Sequence, residues 1–329
     1  MPRPAPPVRS SQPAAAAGLE RQPVRPRAAA LALLTAALWG GTPVAISYST
    51  DELPPVAVAG LRFALGGAFM LAWCRWEGSP IGLGRGQVLP ALIGGVLLFF
   101  QISLFNVGVE WSNSSHGSVF INTFIFWVVA IEHFITRSDR LTRRRFGGLL
   151  LAAAGVAVVL VMRESPRVPQ PGDGDAPSLL GDVVLIVSAA VLGVKIVYTR
   201  YAVGRLAPGQ FVLWHDIIGV ALFAAWSLAF ERGEIAAGDF NVPVVLGLLY
   251  QGVIVAGLCF AIQARLLRRH SASSISVFSF ATPIFGIVAG VLLRGDPLSP
   301  WLLVAGACVA TGILLVNYDR RTENTPESL

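Results

Sequence analysis

Charged side chains are scarce in this chain, and that scarcity is the first guide to its class. Asp, Glu, Lys and Arg make up 13% of the 329 residues, about half of their share in typical soluble domains. Hydrophobic residues reach 54% and form recurrent apolar runs of ~17–22 residues, the length that a helix needs to cross a bilayer. A soluble protein of this composition would have almost no polar surface. We therefore predict an all-α integral membrane protein.

Signatures of several other classes are absent. The sequence contains no P-loop, no H-E-x-x-H and no G-x-S-x-G, which disfavours ATP-driven pumps and common hydrolases. The three cysteines, Cys74, Cys259 and Cys308, fall inside apolar runs without metal-ligand spacing. We expect no cofactor and no metal. The net charge of +6 does not indicate nucleic-acid binding, because the arginines lie mostly in turns between apolar runs.

One stretch of the chain occurs twice. Residues 115–160 and 273–316 each open with Ser-x-x-Ser-Val-Phe, pass through an apolar run to a short acid-bearing turn, and enter a second apolar run. This second run carries Gly155 in one copy and Gly312 in the other. The copies are 158 residues apart where they open (273 − 115) and 157 apart at the glycines (312 − 155). A repeat of this length indicates a duplicated supersecondary unit.

The apolar runs form two groups of five predicted spans. Residues 1–27 lack a hydrophobic pattern and are predicted to be a disordered cytoplasmic tail, with an organelle transit peptide as the alternative. The first repeat covers residues 28–162, a polar linker outside the cytoplasm covers 163–179, and the second repeat covers 180–317, followed by a cytoplasmic tail at 318–329. The ten predicted spans are residues 28–48, 55–76, 87–109, 113–136, 146–162, 180–201, 210–230, 242–266, 273–293 and 301–317.

The distribution of basic residues orients these spans. With both termini in the cytoplasm, 19 of the 25 Lys and Arg residues lie on cytoplasmic segments and 4 on outer segments, as the positive-inside rule requires. Each half has an odd number of spans, so the halves enter the membrane from opposite sides. Inverted repeats around a midplane cavity are a recurrent transporter design. A fainter match at an offset of 153 lays Gly40 over Gly193 and Arg62 over His215.

This order of features resembles the EamA family of the drug/metabolite transporter superfamily. The resemblance covers nearly all of residues 28–317 and implies ten spans in two inverted five-helix EamA-like repeats. It implies secondary transport, often export, of small metabolites such as amino acids or drug-like amphiphiles, and we expect a bacterial inner membrane. The matching features are Trp39-Gly40, Arg62 in VAGLRFAL, the Ser-rich entries to spans four and nine, Pro283 in TPIF, the acid-bearing turns, Gly155 and Gly312.

Three features depart from the family pattern. Where span nine has Pro283, span four has Ile125 or Phe126, depending on the gap in the alignment. The turns carry Asp139 and Asp296, where the family usually has Glu. Span four also contains Glu132-His133, which the pattern does not call for. These departures bear on the substrate more than on the fold.

The single lysine, Lys195, lies inside predicted span six. An ionisable group near the centre of a spanning helix costs at least ~2.5–3.5 kcal/mol unless it has a partner. Lys195 therefore either belongs to the transport pathway or extends to the inner interface near Arg200. Glu132, His215 and Asp216 lie at similar depth, and histidine titrates near neutral pH. A pair of Lys195 with Glu132 or Asp216 would form either a proton-sensitive inner gate or a static contact between spans.

Further candidates for the substrate pathway are polar or aromatic residues within spans. Arg62 either holds a substrate carboxylate with its planar fork or bonds backbone carbonyls as a structural residue. Pro43 and Pro283 each remove a backbone hydrogen bond and favour a kink, and Trp39 and Thr42 share a helix face near the first of these. Ordinary packing also explains each of the remaining candidates singly. They are Asn106, Asn122, Tyr198, Gln251, Gln263 and Phe280.

Two functions from different classes fit these observations. The first is a secondary transporter of a small solute, with proton coupling as a hypothesis. The second is a multipass membrane enzyme that uses Lys195, Glu132 and His215 for acid–base chemistry. The scattered polar groups favour the transporter. A Gly286-x-x-x-Gly290 pattern allows close helix contact either within the chain or in a homodimer.

Overall fold

The computed structural model describes residues 24–42, 45–46, 49, 52–111, 120–162, 178–231, 240–286, 288 and 301–323. Within these ranges all regular secondary structure is helical, and no strand is present. The helices in chain order are α1 (Pro26–Gly40), α2 (Pro55–Glu77), α3 (Val88–Trp111), α4 (Phe124–Ile135), α5 (Arg143–Met162), α6 (Leu179–Ala202), α7 (Pro208–Phe230), α8 (Val242–Arg269), α9 (Ala272–Gly286) and α10 (Trp301–Glu323).

Five of these helices, α2, α3, α6, α7 and α8, are long and apolar enough to cross a bilayer. Shorter apolar helices cover α4, α9 and the Ala307–Asn317 part of α10. The chain is thus an all-helical integral membrane protein, and each predicted span contains one of the helices. Ten crossings stay a prediction. Most observed boundaries lie within three residues of the predicted ones, but α10 continues six residues past the predicted end at residue 317. Helix α1 ends at Gly40, α4 begins at Phe124 and α9 ends at Gly286, well inside the spans predicted as residues 28–48, 113–136 and 273–293.

Local sequence signals set several helix ends. Pro55 and Pro208 occupy the first turn of α2 and α7, where a missing N–H costs nothing. The side chains of Ser178 and Asn241 cap α6 and α8 by accepting hydrogen bonds from backbone N–H groups. Gly78 ends α2 with φ of 70°, in the left-handed region that glycine adopts without strain.

Helices α2 and α7, the second helix of each half, pack directly against each other and run antiparallel. A methyl group at Gly209, near the start of α7, would lie 3.1 Å from Cys74 Sγ near the end of α2. A methyl group at Gly60, near the start of α2, would lie 3.5 Å from Cβ of Phe223 near the end of α7. Antiparallel packing of equivalent helices is what inverted halves require.

Helices α5 and α10, the last of each half, also run antiparallel. A methyl group at Gly312 would lie 2.5 Å from the carbonyl oxygen of Gly148 and 2.7 Å from Cβ of Ala152, while one at Gly148 would lie 3.1 Å from Cγ2 of Val316. The repeat pattern paired Gly312 with Gly155 in sequence. In space Gly312 meets Gly148, because the helices cross where both lack side chains.

The close contacts between helices recur at the offsets that the sequence predicts. A methyl group at Gly40 of α1 would meet the carbonyl oxygen of Thr282 at 2.9 Å and the nitrogen of Gly286 at 2.8 Å. Its counterpart Gly193 of α6 faces Phe124 and Val128 of α4, which lie 158 residues before Thr282 and Gly286 (282 − 124, 286 − 128). Gly286 therefore packs against Gly40 of the same chain.

Some predicted features lie outside the described residues. They are the kink at Pro43, the opening of the first repeat at residues 115–119, the linker at 163–177, the turn that contains Asp296, Gly290, and the tails at 1–23 and 324–329. Pro283, the position of the second predicted kink, lies within the described residues, and a 3-10 helix, Val277–Ala281, precedes it in α9. The kink itself stays a prediction.

Candidate functional site

The ring of Phe260 on α8 is the meeting point of side chains from four other helices. It stacks on Phe63 of α2 with 6.1 Å between ring centroids. It makes edge contacts with Trp39 of α1 at 6.2 Å and with His215 of α7 at 5.8 Å. The Nζ atom of Lys195 on α6 lies 5.2 Å from the centre of the same ring. This aromatic centre connects both halves of the chain.

Lys195 points into the protein interior. Its Nζ donates a hydrogen bond to Gln101 Oε1 of α3 at 3.1 Å, and the residue is only 5% exposed. Ser188, two turns earlier on α6, donates to the carbonyl oxygen of Gln101 at 2.9 Å. Among the described residues Lys195 makes neither predicted ion pair: Glu132 pairs with Arg200, and Asp216 pairs with His215.

His215 and Asp216 form a buried pair on α7. His215 Nδ1 lies 2.8 Å from Asp216 Oδ1, and both side chains are almost completely inaccessible. The second carboxylate oxygen, Asp216 Oδ2, is buried without a hydrogen-bond partner. A methyl group at Gly66 of α2 would lie 3.3 Å from that oxygen. One acceptor of Asp216 is therefore free beside α2.

Arg62 of α2 lies in a position that mirrors that of His215. Its guanidinium carbon lies 4.6 Å from the centre of the Phe63 ring, and its buried Nε has no hydrogen-bond partner. A methyl group at Gly252 would lie 2.9 Å from the carbonyl oxygen of Arg62, and one at Gly95 would lie 3.3 Å from that of His215. The predicted correspondence between Arg62 and His215 is therefore reproduced in the helix contacts.

Arg62, Lys195, His215 and Asp216 form what we call the central charged cluster. These four groups come from three helices, α2, α6 and α7, and lie within electrostatic range of one another. Each residue is at least nine-tenths buried. Among the described residues, neither Arg62 nor Lys195 makes an ion pair with a carboxylate. The cluster thus holds two basic side chains and one acidic side chain, and it has unfilled hydrogen-bonding capacity at Arg62 Nε and Asp216 Oδ2.

The other candidate residues lie away from this cluster or at its edge. Thr42 has a buried hydroxyl oxygen without a partner. Tyr198, one turn after Lys195, donates to the carbonyl oxygen of Pro90 at 3.2 Å and packs against Tyr201. Its hydroxyl is therefore engaged by α3.

The predicted amides do not converge. Asn106 donates to the carbonyl oxygen of Pro55 at 3.2 Å. Gln251 is fully buried, and its Nε2 donates to the carbonyl oxygen of Ala45 and to Ser49 Oγ, each at 3.0 Å. These two amides join helices to neighbouring backbone. Gln263 is partly buried, and Asn122 lies in the turn just before α4.

Phe280 is likewise distant from the cluster. It is 2% exposed and makes an edge contact with Phe126 of α4 at 6.1 Å between ring centroids. It belongs to an apolar core between α4 and α9. Packing therefore accounts for its burial.

Glu132 of α4 is completely buried and joins three helices. Its Oε1 accepts hydrogen bonds from Arg200 Nη1 of α6 at 2.9 Å and from the backbone nitrogen of Ala272 at 3.0 Å. Its Oε2 accepts from the backbone nitrogen of Ser273 at 2.8 Å. A carboxylate at the start of α9 satisfies backbone donors that the helix leaves unpaired. Glu132 thus pairs with Arg200 and not with Lys195.

A second carboxylate extends this arrangement. Asp139 Oδ1 accepts from Arg145 Nη1 at 2.5 Å, and Oδ2 accepts from Ser273 Oγ at 2.5 Å and from Ser271 Oγ at 3.3 Å. We call Glu132, Asp139, Arg145, Arg200 and the start of α9 the Glu132 network. It ties the α4–α5 turn to α6 and α9, at the end of the molecule that carries most of the arginines.

Three functional candidates were missed by sequence reasoning. Phe260 is one of 18 phenylalanines in apolar runs, and no pattern distinguishes it. Gln101 is one of several amides within apolar runs, and nothing in the sequence pairs it with Lys195. Arg200 marks the inner end of predicted span six in the sequence, and its spacing of five residues from Lys195 leaves it on a different helix face. Long-range partners of this kind leave no local signal.

Within the described ranges, no group of three or more His, Cys, Asp or Glu residues is arranged to hold a metal ion. The buried charged groups instead form the central charged cluster and the Glu132 network, inside a helical membrane protein with two related halves. This combination defines a polytopic membrane protein of the transporter class.

The chain belongs to the EamA-like transporter family. The family profile matches residues 26–161 and again residues 179–318. The two matches correspond to the two predicted repeats. The chain is therefore a member of a transporter family and not an enzyme.

Named relatives are distant but cover most of the chain. A "Probable amino-acid metabolite efflux pump" of Salmonella typhimurium is 23% identical over 301 residues, which is 90% of this chain and 96% of the relative. An S-adenosylmethionine/S-adenosylhomocysteine transporter of Chlamydia muridarum is 24% identical over 304 residues, 90% of this chain and 93% of the relative. A solved crystal structure with 21% identity matches with a TM-score of 0.76 and covers 90% of this chain and 99% of its own. That likeness confirms the fold.

Proposed function

We propose that this protein is a secondary transporter that exports small metabolites across a bacterial inner membrane by alternating access. The observation that carries the proposal is the central charged cluster, with its unpartnered polar atoms, between the antiparallel helices α2 and α7. Buried ionisable groups inside a membrane protein are expensive, and they typically mark a substrate or ion pathway. The names of the two relatives support a metabolite that contains an amino-acid moiety.

In this mechanism two like halves exchange conformations around the central charged cluster. Trp39, Phe63 and Phe260 supply apolar faces to the bound solute, while Arg62, Lys195 and Asp216 supply charge. The Glu132 network closes the cytoplasmic end by holding α4, α6 and α9 together. Opening toward the cytoplasm requires the start of α9 to leave Glu132.

The proposed orientation places both termini in the cytoplasm with ten crossings. We expect a cysteine introduced at Asp175, in the linker, to react with an impermeant maleimide from outside intact cells. A cysteine at Ser328, in the C-terminal tail, should react only after the cells are opened. An odd number of predicted spans separates the two sites, so they should lie on opposite sides of the membrane. Labelling of both sites from the same side would contradict the inverted arrangement.

Proton coupling is proposed to run through Asp216. This carboxylate is bonded to His215, carries one free oxygen, and is faced by Arg62 from α2 and Lys195 from α6. A carboxyl group can gain and lose a proton, whereas an amide cannot. In proteoliposomes supplied singly with labelled L-amino acids, Asp216→Asn should reduce flux driven by a pH gradient to the level of empty liposomes. Exchange of solute at equal pH should persist.

The control for this experiment is Glu52→Gln, which removes an exposed carboxylate. Its flux should equal that of the wild type. Equal pH-driven flux in Asp216→Asn and wild type would remove Asp216 from coupling. Loss of exchange and of pH-driven flux together would assign Asp216 to solute binding instead. Absence of any flux in the wild-type protein with every solute tested would contradict the transporter function itself.

A further inference from the structure

The central charged cluster contains more basic than acidic side chains. Arg62 and Lys195 are basic, whereas Asp216 is the only acidic side chain within the cluster. Asp216 is also hydrogen-bonded to His215, which engages one of its two oxygens. The other two acidic side chains that are buried among the described residues, Glu132 and Asp139, are bonded to other arginines. One of the two basic side chains of the cluster therefore has no acidic counterpart in the part of the chain that the structure describes.

The hydrogen-bonding groups of the cluster are also incompletely used. Lys195 uses one of its three N–H donors to bond Gln101, and the guanidinium of Arg62 lies over the Phe63 ring. Arg62 Nε and Asp216 Oδ2 are buried without partners. Unpaired buried polar atoms are costly, so groups of this kind retained in the interior of a membrane protein indicate a missing ligand.

We propose that the solute carries one net negative charge, with an oxyanion bound by Arg62 and Lys195 and a hydrogen-bond donor directed at Asp216. This inference rests on the proposed function and narrows its substrate class. A planar carboxylate suits the guanidinium fork of Arg62. The donor fills the free oxygen of Asp216. The rings of Phe63 and Phe260 then contact the apolar part of the solute. Acidic amino acids and other anionic carboxylates with an N–H or O–H group meet these requirements.

The first test measures the ligand-free protein. Lys195→Met replaces the uncompensated cation with an apolar side chain of similar length, and replacing buried charge in this way is often stabilising. We expect the melting temperature of the purified variant in detergent to rise by about 2 °C or more. The control is Arg205→Gln, which removes an exposed arginine five residues after Arg200. Its melting temperature should equal that of the wild type. A Lys195→Met variant that melts no higher than wild type would overturn the inference.

The second test measures binding without transport. L-Glutamate, L-glutamine and L-lysine are similar in size and carry net charges of −1, 0 and +1. Inorganic phosphate separates a general oxyanion site from a carboxylate site. We expect glutamate to raise the melting temperature of the wild type more than glutamine and lysine do. In Lys195→Met this preference for glutamate over glutamine should disappear, whereas Lys195→Arg should retain it.

The outcomes separate this inference from the proposed function. Stabilisation by phosphate above glutamate keeps the net negative charge and assigns a phosphoryl group to the solute. Equal responses to the three amino acids, a larger response to lysine, or no response to any anion would overturn the inference. Proteoliposome flux of neutral or cationic solutes would then leave the transporter function intact. Binding of an anion without flux would support the inferred charge of the ligand but contradict the transporter function.

Discussion

Replacement of Glu132 with alanine should destabilise the protein by about 3–5 kcal/mol, because it leaves the buried charge of Arg200 without a counter-charge. Arg200 Nη1 donates to Glu132, its Nε has no partner, and its side chain is 12% exposed. The same substitution also leaves the backbone nitrogens of Ala272 and Ser273 without their acceptor. Both losses act at one place, the start of α9. The measurement is the unfolding of purified protein in detergent.

A second substitution separates the charge from the helix cap. Removing Arg200 together with Glu132, as Glu132→Ala with Arg200→Met, should recover the part of the loss that comes from unpaired charge. The part that remains reports the unsatisfied backbone donors of α9. Glu52→Ala, at an exposed acid, should change stability by no more than about 0.5 kcal/mol. If Glu132→Ala matched Glu52→Ala, the Glu132 network would not hold α9.

The Glu132 network also distinguishes the two ends of a nearly symmetric molecule. At the predicted offsets, the second half has Gly290 in place of Glu132, and the first half has Ser47 in place of Arg200. The pair that holds α4, α6 and α9 together is therefore encoded at one end only. Two halves with equivalent packing but different closing contacts would have unequal inward-open and outward-open states. That inequality would bias which of the two states is populated at rest.

The register of the helix contacts could be predicted from the sequence, but the ionic partners could not. Offsets of 153 and 158 residues place Gly40 and Gly193 against corresponding residues of α9 and α4. A duplicated sequence retains its packing small residues, because each copy must bring the same backbones together. The spacing of glycines is therefore informative over the whole chain.

The partners of Lys195 and Glu132 depend on side-chain reach between helices that are distant in sequence. Their similar predicted depth in the membrane made Lys195, Glu132 and Asp216 plausible partners. Depth does not specify the direction in which each side chain points around its helix. Rotation of α6 about its axis directs Lys195 toward Gln101 and directs Arg200, five residues later, toward Glu132. No single-sequence pattern specifies that rotation. Lys195, His215 and Asp216 were predicted to lie together, but the sequence did not indicate that Arg62 joins them or that Glu132 pairs with Arg200.

The substitutions Gly252→Val and Gly95→Val should each destabilise the protein by about 3 kcal/mol or more, and by similar amounts. The reason is that the added side chain at either site can be accommodated only if the backbone moves. Gly252 of α8 lies against Arg62 and Leu65 of α2, and Gly95 of α3 lies against His215 and Ile218 of α7. The two contacts are related by the repeat. Even the Cβ of alanine would lie 2.9 Å from the carbonyl oxygen of Arg62 at the first site and 2.5 Å from Ile218 Cβ at the second.

Unfolding in detergent measures both effects, with Ala310→Val on the exposed face of α10 as the control for added bulk. That control should stay within about 0.5 kcal/mol of the wild type. Tolerance of valine at one glycine but not at the other would show that the halves do not pack equivalently around the central charged cluster. Equal losses would show that the backbones at Arg62 and His215 are each held by close contact with a glycine of a neighbouring helix. The duplicated backbone would then fix where the cluster lies. The chemistry of the cluster would come from the side chains that differ between the halves, such as arginine at 62 and histidine at 215.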